Sequence, residues 1–145
     1  MDFFTSIQTS SSGLSAQRLR MNLISGNLAN VNTTRTGQGG PFRRKEAIFA
    51  AQSINSAFNK ILTARQKNQA PGVRVDRIYE DQAPPVMKYQ PSHPDADNRG
   101  YVAMPNINPM EEMVNMISAT RGFEANITAL KAAKTMALKA LEIGR

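Results

Sequence analysis

The chain of 145 residues has no cysteine, no tryptophan and a single histidine, His93. Without cysteine it can form neither a disulfide nor a thiolate metal site, and it has no thiol nucleophile. A zinc site would need further nitrogen or sulfur ligands beside His93. We therefore expect a chain that is not an enzyme, with no catalytic, cofactor-binding or metal-binding residues.

The chain also has no long apolar run. No stretch approaches the ~20 apolar residues that a membrane-spanning helix needs. The N-terminal sequence MDFFTSIQTSSSG lacks the basic start and the apolar segment of a cleaved signal peptide. We expect no membrane-spanning segment, and a chain that either stays in the cytoplasm or leaves the cell without a cleaved signal.

Two short motifs invite a chemical interpretation that their spacing does not support. The segment after His93 matches the calcium-loop template at Asp95 and Asp97, but Arg99 occupies a ligand position and no carboxylate ends the loop. A polar turn with Asx-type backbone bonds fits this segment better. The glycines within residues 37–40 are not followed by the Lys-Ser/Thr of a P-loop, so a connecting loop is expected there.

The formal net charge is +7, and the excess is local. Residues 33–70 carry seven basic groups against Glu46, and the densest point is Arg43-Arg44-Lys45. A solvated or partner-facing basic loop explains this cluster, and no zinc-finger spacing or RNA-recognition signature accompanies it. We expect no nucleic-acid partner, although a basic helical nucleic-acid-binding protein stays open as the alternative.

A heptad pattern near the N-terminus predicts one helix over residues 3–31. Leu14, Met21 and Leu28 recur every seven residues, and Ile24 fills the alternate spacing. Such a pattern indicates a helix that buries one stripe against another helix.

Both ends of this helix have residues that weaken it. The Ser- and Thr-rich segment 9–13 contains poor helix formers, so the first turns should be marginal on their own. Asn27, Asn30 and Asn32 are expected to set the turn out of the helix, because asparagine tolerates left-handed backbone and bonds to its own main chain.

A second helix is predicted over residues 109–143. Asn108 suits the N-cap, Pro109 the first helical position, and Glu111 the position that can reach back to the cap. One face carries Met113, Met116, Thr120, Phe123, Ile127, Leu130, Ala137 and Leu141. A neighbouring stripe of small residues consists of Ala119, Asn126, Ala133 and Ala140. The apolar arc exceeds what one helix would cover, so neighbouring subunits are expected to cover the rest.

The region between the helices is irregular. Residues 42–50 and 73–79 carry strand patterns and predict a small β-hairpin. Residues 53–66 have the spacing of a short helix. Six prolines in residues 84–109 predict an extended segment that is ordered by contact and is not a core. Three parts follow from these patterns: residues 1–32, residues 33–107 and residues 108–145.

The two ends resemble the axial proteins of the bacterial flagellum. Residues 12–17 lead into the asparagine-rich run 27–33, which is similar to the N-terminal rod signature of that family. Residues 121–126 match its closing helix. The segments 91–97 and 100–106, which read PSHPDAD and GYVAMPN, are similar to members of the proximal rod.

The resemblance implies a structural subunit of the proximal rod in the flagellar basal body, in the periplasm. Its subunits would be exported unfolded by the flagellar type III system and polymerised as part of the drive shaft, with no cofactor. The fold implied is mainly α, with the terminal helices packed as an antiparallel coiled coil. Implied partners are copies of itself, other rod proteins, the export apparatus and the basal-body ring. A cytoplasmic coiled-coil adaptor is a further alternative.

The expected assembly interface combines residues of both terminal helices. It consists of Leu14, Met21, Ile24, Asn27, Leu28, Asn30, Asn32, Met113, Met116, Phe123, Ile127, Leu130 and Leu141.

Overall fold

The computed structural model of the chain describes residues 3–53 and 71–143. Its elements are α1 (Phe3–Ala29), β1 (Lys45–Ser53), β2 (Pro71–Glu80), β3 (Val86–Tyr89), β4 (Tyr101–Met104) and α2 (Pro109–Ile143). The prediction of a mainly helical chain with strands in its middle is confirmed. A helix was predicted over residues 53–66, and all of this range except residue 53 lies outside the described residues. None of the described helices is long and apolar enough to cross a membrane.

Asn30 ends α1 two residues before the predicted boundary. Its backbone N–H and its Nδ2 both donate to Gly26 O, at 3.1 and 2.8 Å, and its Oδ1 accepts from Thr33 Oγ1 at 3.1 Å. These bonds satisfy a carbonyl that the last helical turn would leave free. The helix therefore ends through local asparagine hydrogen bonding.

The start of α2 agrees with the predicted cap. Asn108 Oδ1 accepts from Met110 N at 3.1 Å, and its main-chain oxygen accepts from Glu112 N at 3.1 Å. Pro109 follows as the first helical residue, where its missing N–H is not needed. Glu111, which was expected to reach back to the cap, instead places Oε1 3.9 Å from Arg44 Nη2.

The two helices pack along each other, and their contacts run in opposite directions along the chain. In order along α1, the contacting pairs are Gly13 with Asn126, Gln17 with Gly122, Met21 with Thr120 and Asn27 with Glu112. Small residues allow the helices to come close, since Ala16, Ala119 and Ala133 are all buried. On α2 the most buried residues thus belong to the small stripe and not to the large apolar face.

The first sheet pairs the two strands that were predicted. β1 and β2 are antiparallel from Lys45 opposite Glu80 to Ser53 opposite Pro71, with a bulge after Ile48. The sheet lies against α1. Ser12 contributes to that contact, because its Oγ accepts from Val73 N of β2 at 3.1 Å.

The proline-rich segment differs from its prediction. β3 and β4 form a second antiparallel sheet, and Val102 and Ile107 are buried. The prolines of this segment precede β3, lie in the β3–β4 connection or follow β4. They therefore remove no hydrogen bond from the ladder, and the two strands can pair. The segment therefore contributes buried residues to the core, although it was predicted not to be part of one.

Candidate functional site: a polar junction between the helices and the middle region

Asn27 connects the last turns of α1 to the start of β1. Its Nδ2 donates to Lys45 O and its Oδ1 accepts from Lys45 N, both at 2.9 Å. The side-chain amide thus pairs with both main-chain polar groups of one residue, as a residue of a neighbouring strand would. Asn27 is only 1% exposed, so these bonds form away from water, where unmade ones are costly.

Glu112, in the first turn of α2, completes the junction. Its Oε2 accepts a second hydrogen bond from Asn27 Nδ2 at 2.9 Å, and its Oε1 accepts from Arg44 Nε at 2.7 Å. The residue is 1% exposed. A buried carboxylate is stable only when it is paired and hydrogen-bonded. We call Asn27, Arg44, Glu112 and the Lys45 peptide the polar junction.

Arg44 lies among three carboxylates. Besides the bond to Glu112, its Nη1 lies 3.7 Å from Glu46 Oε2 and its Nη2 3.9 Å from Glu111 Oε1. Burial of the guanidinium disfavours its charge and lowers its pKa. The hydrogen bond and charge of Glu112, together with Glu46 and Glu111, outweigh that burial, so the pKa of Arg44 is raised above its ordinary value. The arginine therefore stays charged inside the junction.

The chemistry of this arrangement is that of a structural clamp. Both carboxylate oxygens of Glu112 accept a hydrogen bond, and both polar atoms of the Asn27 amide are bonded. Each bond joins segments that are far apart in sequence. The junction holds the end of α1, the start of β1 and the start of α2 in one fixed relationship.

The basic cluster 43–45 does not form a single surface. Arg44 turns inward to Glu112, Lys45 Nζ lies 3.2 Å from Glu80 Oε1, and Arg43 Nη1 donates to Gln82 Oε1 at 2.8 Å. The prediction of a solvated or partner-facing basic loop is therefore wrong for Arg44, whose charge is used within the chain.

The segment around His93 is a polar turn, as predicted. Asp97 Oδ1 accepts from Arg99 N and Tyr101 N, both at 2.8 Å, and His93 Nδ1 accepts from Asp95 N at 3.1 Å. Within the described residues no group of three or more His, Asp or Glu side chains is placed to hold a metal ion. The Asp97 carboxylate therefore shapes the main chain, while Asp95 Oδ2 accepts from Thr34 Oγ1 at 2.7 Å.

The predicted interface residues fall into three groups by exposure. Ile24 and Asn27 are buried in the single chain. Leu14, Met21, Leu28, Asn30, Met116, Phe123, Ile127 and Leu130 are half-buried. Asn32, Met113 and Leu141 are exposed. The structure brings Met21 of α1 and Asn27 into direct contact with α2, through Thr120 and Glu112.

The part of the junction that depends on distant partners was not predicted. Glu112 lies one heptad before Ala119 and so continues the stripe of small residues on α2. That position was the available signal for its burial. Arg44 carried no such signal, because its partner lies 68 residues away along the chain.

Comparison with known proteins identifies both ends of the chain. Residues 7–35 match the family model of the flagella basal body rod protein, and residues 98–143 match that of the flagellar basal body rod FlgEFG protein C-terminal. These ranges contain α1 from Ile7 onward and the whole of α2. Asn27 lies in the first range and Glu112 in the second.

Full-length relatives carry one name. The flagellar basal-body rod protein FlgC of Borreliella burgdorferi is 47% identical over 150 residues, covering 99% of this chain and 98% of that protein. FlgC of Bacillus subtilis is 44% identical over all of both chains. FlgC of Escherichia coli O6:H1 is 38% identical over 92% of each. The expectation of a structural subunit of the flagellar basal-body rod is confirmed. The chain belongs to the FlgC family of flagellar basal-body rod proteins.

Proposed function

We propose that the chain is a subunit of the proximal rod in which α1 and α2 pair as an antiparallel coiled coil. Neighbouring subunits then cover the apolar surface that this pair leaves exposed. The polar junction sets the direction in which the middle region leaves the helices. Each subunit is exported unfolded by the flagellar type III apparatus and polymerises in the periplasm as part of the drive shaft.

The spacing of the contacts between the helices supports a coiled coil. Gly13 and Asn27 are two heptads apart on α1, and their partners Asn126 and Glu112 are two heptads apart on α2. Contacts that recur at whole heptads in opposite directions are typical of an antiparallel coiled coil.

Exposed apolar surface on α2 is the observation that carries the proposal. Met110, Val114, Ile117, Met136, Leu138, Leu141 and Ile143 are each more than half exposed. They occur near both ends of the 35-residue helix, so the apolar surface is not confined to one end. Apolar surface on this scale marks a protein–protein contact. A rod built from side-by-side helices provides that cover in every subunit.

The predicted interface residues take two roles in this assembly. Ile24, Met21 and Asn27 hold α1 against α2, whereas Met113 and Leu141 are free to meet a neighbour. Residues 1–32 and 108–145 form the inner layer around the channel, and residues 33–107 face outward. The four residues of β3 are all exposed, as an outward-facing region would be.

Export in an unfolded state fits the start of α1. Thr9 Oγ1 donates to Thr5 O at 2.9 Å and Ser12 Oγ to Thr9 O at 2.7 Å. Such back-bonding competes with the helical ladder and weakens it. A helix that is marginal before assembly passes through a narrow channel unfolded, and its packing partners then stabilise it. The partners here are copies of itself, other rod proteins, the export apparatus and the basal-body ring.

An epitope tag inserted between Gly37 and Gln38 tests the location. Both residues are exposed in a tight turn, so the insertion should leave the helices intact. We expect the tag to copurify with hook–basal-body particles, and to be lost from them when the export apparatus is disabled. Confinement of the tagged chain to the cytosol, in cells that still assemble flagella and in which the tag is shown to be harmless, would contradict the proposal.

Ile127→Asp tests the helix pair within the assembled rod. Ile127 is half-buried on α2, and a carboxylate there would have to be buried without a partner. We expect normal synthesis of the variant but none in the particles. Normal motility of cells carrying only Ile127→Asp would contradict the proposed packing of this face of α2 in the rod.

A further inference from the structure

Two glycines lie at close approaches between α1 and α2. A Cβ placed on Gly13 would lie 3.0 Å from Asn126 Oδ1, and one placed on Gly122 would lie 3.1 Å from Gln17 Nε2. Both distances are shorter than ordinary contacts of a Cβ. By contrast, a Cβ on Gly26, also in α1, would have nothing within 4 Å.

The two contacts are reciprocal. Each helix provides one glycine and one amide, four residues apart: Gly13 and Gln17 on α1, Gly122 and Asn126 on α2. A step of four along α1 is matched by a step of four back along α2. Side chains four residues apart share one face of a helix, so both amides lie in the same interface. Each amide packs against the glycine of the facing helix.

The two amides are held differently. Asn126 Nδ2 donates to Gly122 O of its own helix at 2.8 Å, which orients its side chain toward Gly13. Gln17 Oε1 is buried without a hydrogen-bond partner among the described residues. A buried, unpaired carbonyl oxygen weakens the pair. The Gln17 contact is therefore better explained by its selecting one register of the two helices than by its attracting α1 to α2.

We infer that these glycine–amide contacts fix the register in which α1 and α2 pair, with Gln17 and Asn126 as positioning residues. A slip of one heptad in either direction would place Gln17 opposite Asn115 or Ala129, and both of these residues carry a Cβ. Alanines and leucines of the heptad pattern recur in any slipped register, so they cannot exclude it. The glycines can exclude a slipped register, because each one leaves room for the facing amide side chain at a single position.

This register also decides whether the polar junction forms. Asn27 and Glu112 are two heptads from the Gly13–Asn126 contact on both helices. A slipped pair would separate them and leave Glu112 Oε2 without the hydrogen bond from Asn27. The inference concerns the single chain and does not rest on the proposed place in the rod.

Cysteine crosslinking can read the register directly, because the chain has no cysteine of its own. Met21→Cys with Thr120→Cys reports the observed register, since these side chains touch at 3.7 Å. Met21→Cys with Ile127→Cys or with Met113→Cys reports the two one-heptad slips. In the otherwise unchanged full-length chain, a short thiol crosslinker should join the first pair with at least fivefold higher yield than either slipped pair.

The decisive variant combines Gly13→Ala with Gly122→Ala. We expect the in-register yield to fall at least threefold while a slipped yield rises. Adding Gln17→Ala and Asn126→Ala should recover in-register yield, because the added methyl groups then meet small side chains. The slipped yields should stay raised, because alanines do not exclude a slipped register. Gly26→Ala should change neither yield.

Several results would overturn the inference. They are an unchanged in-register yield in the double-glycine variant, loss of all crosslinks together, no recovery with Gln17→Ala and Asn126→Ala, or an equal effect of Gly26→Ala. Loss of all crosslinks would mean that the two glycines are needed for folding in general and do not select one register.

Discussion

The side-chain amide of Asn27 pairs with both polar groups of the Lys45 main chain, at 2.9 Å in each direction. An asparagine at the end of a helix usually bonds to its own turn. Here Asn30 does so, while Asn27 joins a different segment. The same amide also reaches Glu112. One side chain thus ties the helix pair to the first strand of the middle region.

Asn27→Ala should lower the free energy of unfolding by about 2 kcal/mol, because it leaves the Lys45 peptide and Glu112 without a buried partner. Urea unfolding followed by circular dichroism measures this change. Asn32→Ala is the matched control at an exposed position and should cost less than about 0.5 kcal/mol. Equal effects of the two substitutions would show that Asn27 contributes no more than a turn residue.

Glu112→Gln should destabilise the chain by about 2 kcal/mol, because the charge-assisted bond from Arg44 Nε becomes a neutral one in a buried site. The neighbouring Glu111 provides the control. Its side chain is 62% exposed and 3.9 Å from Arg44, so Glu111→Gln should cost less than about 0.5 kcal/mol. The result to look for in urea unfolding is the difference between the two. A larger loss for Glu111→Gln would reverse the assignment.

The contribution of Arg44 itself should not depend on pH near neutrality. Its folded pKa is raised, and a basic group with a raised pKa stabilises fully below its unfolded pKa and loses that effect only as pH rises through the folded one. Both values lie far above pH 9. The destabilisation caused by Arg44→Gln should therefore be the same at pH 6.5 and pH 9. A clear change between these pH values would mean that the arginine is not the charged partner.

Gly100 lies in the β3–β4 connection with φ +81°, and a Cβ there would meet Tyr89 Cε2 at 2.9 Å. Gly100→Ala should cost about 2 kcal/mol, from the left-handed backbone and the clash together. Gly37→Ala has open space and no positive φ, and it should be neutral or slightly stabilising. Thermal unfolding of both variants provides the comparison. A destabilised Gly37→Ala would point to a general sensitivity of these loops.

Local chemistry made the helices predictable. Asn108 and Pro109 mark the start of α2 within one turn, and the heptads of Leu14, Met21 and Leu28 mark α1. The β1–β2 pair followed from the alternation of residues 73–79 and from the strand pattern of residues 42–50. In each of these cases the residues that decide the structure are neighbours in sequence.

The remaining structure depends on partners that the sequence does not pair. Val86 to Tyr89 became a strand because Tyr101 to Met104 lies beside it, although the surrounding prolines indicated extended chain. Gly13 could be interpreted as a helix-weakening residue until Asn126 was seen against it. Glu112 and Arg44 likewise acquire their role only when α1, β1 and α2 meet.

Val114 separates contacts between subunits from contacts within the subunit. It is 65% exposed on α2, so Val114→Asp should leave the urea unfolding of the isolated chain unchanged within about 0.5 kcal/mol. In the rod, however, a neighbour would have to bury that carboxylate, and the variant should be absent from purified basal bodies. Val114→Leu keeps the surface apolar and should be incorporated normally. If Val114→Asp enters the rod as well as Val114→Leu, this part of α2 faces water in the assembly and other apolar residues must form the contact.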